Sequence, residues 1–445
     1  MRNIAIGARW RWTAAIVALA CAAVAGGCGG AAVPPITGHL ATPQRKHFPL
    51  IKHVVMIDLE NRSYDNLFHG FPGGNYATTG VMHDGTIVTL TGLPLTQAND
   101  IGHSSTQFAI AYDGGKNDAF DLETLIAGNG QTPPPPTYPY TYVNQSDVQP
   151  YWDMASQYAL ADRMFQSNGG ASYPSHFYLI AAQSDSIIGN PNHLPWGCDA
   201  PAHTKVAYLL PDGTTGHEFP CIDMPTIADE LDAAGVTWAS YTPQTETSWE
   251  AYESVSHIRF GPDWNTNFPP STHIFTDPGD GQLPSVSWVI PTFTESDHPR
   301  TTKDTGPSWV ASVVNAIGES PYWPDTAIFI TWDDWGGWYD HVPPPQLDKF
   351  GLGFRVPLIV VSPYSRHGYV SHTRHEFGSI IKFIEETYGL PSLGQTDARA
   401  DDLTDMFDFQ QTPAPFVPIK APLKPNYFMH EPIDWTPLDD DLGQQ

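Results

Sequence analysis

Two apolar runs in this chain end in acid. His53 to Leu59 reads as a buried strand, and Glu60 and Asn61 follow at once. Ala327 to Thr331 reads as another, with Asp333 and Asp334 just beyond it. In open α/β sheets, ligands sit beyond the carboxyl ends of strands. All four side chains offer oxygen, the donor that hard divalent cations take. Adjacent carboxylates repel each other unless a cation lies between them. A structural reading competes with this one. Asp residues at strand ends also bond to backbone amides in turns, and the Glu60–Asn61 pair also suits the cap of a following helix.

A nucleophile would face such a cation. In "DRMFQSNGGASYPSHFYLIAAQS", Asp162 to Ser184, Gly169 and Gly170 permit close backbone approach, and Ser172 precedes a predicted buried helix. A helix N-terminus favours an alkoxide and an approaching phosphate, and a bound cation lowers a hydroxyl's pKa. The alternative is that Ser172 is an N-cap. Histidines gather in similar polar loops: His103 in "DIGHSS", His298 in "SDHPR", His341 in "YDHVPPP", and His372 and His375 in "SHTRHEF". Imidazole suits proton donation to a leaving group, although any single one is more often a structural hydrogen bonder.

Regular elements must hold these residues. Val54–Ile57, Val236–Tyr241, Val286–Ile290, Ala327–Thr331 and Val356–Val361 read as core strands. Between them, "MPTIADELDAAG", "GPSWVASVVNAIGES" and "HEFGSIIKFIEETYGL" place apolar residues at helical spacing. Strands alternating with helices predict an α/β fold with a doubly wound, mostly parallel sheet. The 38 Gly and 43 Pro predict long loop excursions, where sites usually lie.

The net charge of −27 argues against a nucleic-acid partner. At the N-terminus, Arg2, Arg9 and Arg11 precede an apolar run from Thr13 to Ala25, too short to span as a mature membrane helix. Residues 1–28 read as a signal peptide whose "AGGC" resembles a lipoprotein cleavage site. Cys28 would then carry the lipid, and the membrane would be reached only through that anchor; ordinary cleavage near Ala25 is the alternative. Residues 29–47 read as a tether, 48–394 as one catalytic domain, and 395–445 as an acidic, Pro-rich extension. In an oxidising compartment Cys198 and Cys221 pair, unless they stay as free thiols.

Several stretches together resemble one family. "ENRSYD" from Glu60 resembles the "ENRSFD" signature of the bacterial phosphoesterase family that contains phospholipases C and an acid phosphatase type. That family is a branch of the alkaline phosphatase superfamily. "GGWYDHVPPP", "SDHPR" and "HEFGSIIKFIEETYGL" resemble its further signatures, and the match spans roughly His53 to Leu390. The resemblance implies an alkaline phosphatase-like fold and one divalent metal ion, Ca, Mg, Mn or Zn. It assigns Glu60, Asn61, Asp333 and Asp334 as metal ligands, and Ser172 as a nucleophile that also faces the metal. It places His298 and His341, and less closely His103, on the phosphate side. Two positions depart from the family. Asp333-Asp334 stands where Asp-Glu is usual, and Pro174-Ser175 where Pro-Asn is usual.

The implied function is an exported, metal-dependent phosphoesterase working through phosphoserine on a small phosphate ester or a phospholipid head group. The family's large phospholipases C carry extra C-terminal β domains, and this chain ends about 55 residues past its last motif. That favours a phosphatase-like or small phosphodiester substrate, whereas the aromatic loops favour lipid head groups. The alternative from another class is a non-catalytic, lipid-anchored binding protein that kept the fold. It would have lost a ligand or the nucleophile, and none is missing.

Overall fold

The computed structural model describes residues 48–244, 248–432 and 435–438. The signal segment, Cys28 and the tether lie outside the described residues. Chain contacts separate Met1–Gln44 from Arg45–Gln445, and every described residue belongs to the second unit.

Among the described residues, seven strands form the central sheet. They are β1 (His53–Leu59), β2 (Ala159–Ala161), β3 (Trp238–Tyr241), β4 (Val286–Val289), β5 (Thr326–Trp332), β6 (Leu358–Val361) and β7 (Tyr369–Ser371). Their order is β3-β4-β1-β5-β6-β2-β7. Six strands share one direction, and β6 runs against them. The sheet is thus mostly parallel, as the alternation of strands and helices implies.

The strands are continuously apolar because both faces are covered. Register aligns Met56 with Trp288 and Phe329, so the three share a face. On that face Phe329 meets Phe383 of the helix Phe377–Tyr388, centroids 5.1 Å apart. Trp288 Nε1 donates to Leu179 O of the helix Ser172–Ala181 at 3.1 Å. Trp332 is three residues from Phe329, hence on the other face. There it meets Tyr151 of the helix Gln149–Gln157 at 5.1 Å. Helices on both faces make the sheet doubly wound.

The excursion between β1 and β2 carries short pairings of its own. Asp100–Ile101 pairs with Leu125–Ile126 just ahead of His103. Cys198 and Cys221 form a disulfide. Beyond Gln395 the chain runs largely without regular structure along the body. Ile419 exchanges hydrogen bonds with the Asn315 side chain at 2.7 and 2.9 Å, and Phe416 meets Trp323 at 4.9 Å. Among the described residues, no helix is long and apolar enough to cross a membrane.

Candidate active site

Adjacent strands deliver the acidic residues to one point. Leu59 of β1 lies opposite Trp332 of β5, and Asp333 N–H extends the ladder to Leu59 O at 2.9 Å. Glu60 and Asp333 therefore leave the sheet together. Asn61 turns off with φ +61°, a left-handed conformation that Asn tolerates better than most residues. Its N–H donates to Asp333 Oδ1 at 2.9 Å. After Asp334, Gly336 closes the turn at φ +62° and donates its N–H to Asp334 Oδ1 at 2.7 Å. A Cβ there would lie 2.3 Å from the Asn61 carbonyl oxygen, so a side chain cannot fit.

Ser172 joins this cluster from the helix Ser172–Ala181. Ala171 takes the N-cap position, and the Ser172 hydroxyl donates to Asp334 Oδ2 at 3.2 Å and lies 3.5 Å from Asn61 Oδ1. The structure thus directs the hydroxyl at the strand tips rather than at the helix amides. Glu60, Asn61, Ser172, Asp333 and Asp334 are all fully buried.

The Asn61 amide divides the site in two. One of its terminal atoms lies 3.1 Å from both Glu60 Oε2 and Asp333 Oδ1. The other lies 2.9 Å from the Nε2 atoms of His103 and His298. Which is oxygen follows from the histidines. His103 Nδ1 lies 2.8 Å from Ile101 O, and His298 Nδ1 lies 2.7 Å from Pro299 O. Each Nδ1 must donate there, so each neutral ring presents a bare Nε2 that accepts from the amide NH₂. The amide oxygen then faces Glu60, Asp333 and Ser172. An oxygen aimed only at oxygens is an arrangement that a cation reconciles. With the amide reversed, both imidazoles would have to be protonated.

Unpartnered atoms point the same way. Among the described residues, Glu60 Oε1 and Asp333 Oδ2 are buried without a hydrogen-bond partner. His176 completes the group: one donor atom each from Glu60, His176 and Asp333 lies within 4.8 Å of the others. His176 Nδ1 lies 2.8 Å from Asp58 Oδ2, and Nε2 lies 3.0 Å from Glu60 Oε1 without hydrogen-bond alignment. Burial, and then the Asp333 charge, hold the Glu60 carboxyl well above its ordinary range. Burial pushes Asp58 up to about 6 against the pull of His176. Burial disfavours a charged His176, but the Glu60 and Asp58 charges outweigh it and raise its pKa. The set is compatible with a divalent cation.

Sequence reasoning missed His176. Its signal was position: it stands four residues after Ser172, hence one turn along the same helix face. His341 is placed elsewhere. Its Nδ1 bonds to Asp65 Oδ2 at 2.6 Å and its Nε2 to Asn75 Oδ1 at 3.0 Å, beside Arg355 at 3.2 Å. Arg355 also bridges Asp340 and Asp65, so this second acidic cluster already holds its cation. His372 pairs with Asp162 at 2.8 Å, and His375 Nδ1 lies 3.0 Å from Asp401 Oδ1, both apart from the Ser172 group.

A model of the phosphoesterase family matches residues 51–391. The chain belongs to this family. As a phosphoesterase it is a phosphoric ester hydrolase. It is 27% identical to phospholipase C B of Mycobacterium tuberculosis, over 85% of this chain and 81% of the relative. It is 25% identical to non-specific phospholipase C6 of Arabidopsis thaliana, over 86% and 77% of the two chains. Against hemolytic phospholipase C of Pseudomonas aeruginosa the identity is 24%, over 81% of this phosphoesterase and 56% of the relative. Among solved structures, an alkaline phosphatase superfamily protein from Vibrio parahaemolyticus aligns with a TM-score of 0.36 at 10% identity, over 81% and 73% of the two chains.

Proposed function

We propose that this phosphoesterase cleaves phosphate esters through Ser172, beside a divalent cation held by Glu60, Asn61, Asp333 and Asp334. The observation that carries the reading is the Asn61 amide. Its oxygen shares one buried point with two carboxylates and the Ser172 hydroxyl, while its nitrogen is fixed by two imidazoles. Bound there, the cation would neutralise phosphoryl charge and favour the Ser172 alkoxide. Asp334, which accepts the Ser172 hydroxyl at 3.2 Å, aligns Oγ for in-line attack on phosphorus. The products of that step are phosphoserine and the free alcohol, and water then releases phosphate or a phosphomonoester. Positioning and charge neutralisation dominate in such transfers. His298 presents a bare Nε2 that accepts from the Asn61 amide, so it orients that ligand, and the leaving oxygen takes its proton from water. His298 also lines a cavity of about 400 Å³ with Phe293, Arg300 and Thr302. His103 keeps the amide oriented. His341, engaged by Asp65, takes no step.

The names of the relatives support phosphodiesters of the phospholipid head-group kind as substrates. The N-terminal residues support export, with Cys28 as a lipid anchor. The test uses chromogenic phosphate monoesters and diesters on purified protein. Exhaustive chelation should abolish turnover, and one added divalent cation should restore it. Full turnover at negligible metal content would remove the cation from the mechanism.

A further inference from the structure

A second group of ligand-type side chains lies where β7 gives way to the helix Phe377–Tyr388. His375 is only 1% exposed there. Its Nε2 lies 3.1 Å from Ser371 Oγ. Ser371 has one hydroxyl hydrogen, and it goes to Asp405 Oδ2. The same oxygen accepts the Thr373 N–H at 3.2 Å. Toward His375 it is therefore an acceptor, and Nε2 carries the proton. In the neutral ring Nδ1 is bare. It lies 3.0 Å from Asp401 Oδ1, yet makes no hydrogen bond among the described residues. Two lone pairs facing each other at that distance repel unless a positive charge lies with them. Asp405 Oδ1 likewise has no hydrogen-bond partner among the described residues, since Ser371 and Tyr369 both donate to Oδ2; it lies 3.6 Å from His375 Nε2.

One donor atom from each of His375, Asp401 and Asp405 lies within 4.8 Å of the others. Small side-chain shifts would close them on one ion at about 2.0–2.2 Å. A cavity of about 370 Å³, lined by Thr373, Arg374, Glu376, Arg399 and Ala400, adjoins His375 and Asp401 and leaves room for water ligands. Arg399 does not compete for the aspartates, because it is paired with Glu376 and Asp348.

We propose that His375, Asp401 and Asp405 form a second divalent-cation site, separate from Ser172. Imidazole with two carboxylates suits zinc, manganese or cobalt better than calcium or magnesium. Two carboxylates and a neutral ring balance the ion's charge. The Ser371–Asp405 contact behind Nε2 is the outer-shell bond that fixes the tautomer and orientation of a metal-bound imidazole. The ion would staple the chain beyond residue 391, where the family match ends, to the sheet edge at β7.

The test strips the full-length protein of metal and reloads it with cobalt or zinc alone. It compares wild type with Asp401→Asn, Asp405→Asn and His375→Gln. Asp401→Asn and Asp405→Asn should bind one equivalent fewer than wild type, lose the part of the visible cobalt absorption that belongs to this site, and gain less thermal stability from added metal. Asp401→Asn should keep ester turnover within twofold. Asp334→Asn should lose the other equivalent and retain this one. Equal stoichiometry and equal cobalt spectra in wild type and folded Asp401→Asn would overturn the proposal and leave His375 as an imidazolium clamp between two aspartates. If His375→Gln fails to fold, the two aspartate variants decide, because their side chains are 33% and 27% exposed.

Discussion

His298 and His341 sit in equally polar loops, and geometry separates them. His298 reaches the Asn61 amide, whereas His341 is taken up by Asp65 and Asn75. His341→Ala should therefore leave kcat within about twofold. It should lower stability by about 1.5–3 kcal/mol, the range for a hydrogen bond to a charged group, as read by denaturant unfolding. His298→Ala, which unfixes the Asn61 amide, should lower kcat by about 10- to 100-fold, the usual cost of losing an outer-shell partner of a ligand. The opposite pattern would return His341 to the site. Glu60, Asn61, Asp333 and Asp334 were legible because each pair directly follows an apolar run, and strand tips bind ligands. Ser172 was legible only as one of two readings, since a serine before a helix is also a good cap. His176 was not legible as a member of the cluster, because it sits within a buried helix and its partner Asp58 lies inside a strand. The amide orientation of Asn61 depends on two loops far apart in sequence, so no local pattern announces it.

Among the elements, the strands that flank the site were the easiest to read. A parallel strand buried on both faces is a continuous apolar run, which is how β1, β4 and β5 stand out. β2 and β7 have three residues each, too few to show a period. The loop closed by Cys198 and Cys221 was legible from the cysteine count together with the expectation of export. It spans 23 residues and carries none of the Ser172 group. Cys198→Ser with Cys221→Ser should cost about 3 kcal/mol of stability through the freer unfolded chain. At a temperature where the variant stays folded, kcat should be unchanged. A loss of turnover without a loss of stability would mean that this loop shapes the substrate site.

For the whole molecule, net charge and the N-terminal residues bear on the proposed export and anchoring. At a net charge of −27 the enzyme is repelled by anionic surfaces, so only the proposed anchor would hold it at a membrane. Cys28→Ala should move it from the membrane fraction to the soluble one, and an unchanged distribution would mean ordinary signal cleavage. The proposed mechanism turns on one bond, between Ser172 Oγ and phosphorus. Rapid acid quenching during turnover, followed by peptide mass spectrometry, reads that bond directly. The expected result is phosphate on the peptide containing Ser172. Ser172→Ala should be folded, because the hydroxyl is not a cap, with no phosphopeptide and kcat lower by more than about 10³, roughly 4 kcal/mol in barrier. A Ser172→Ala enzyme within tenfold of wild type, about 1.4 kcal/mol, with no phosphate trapped in either protein, would contradict it.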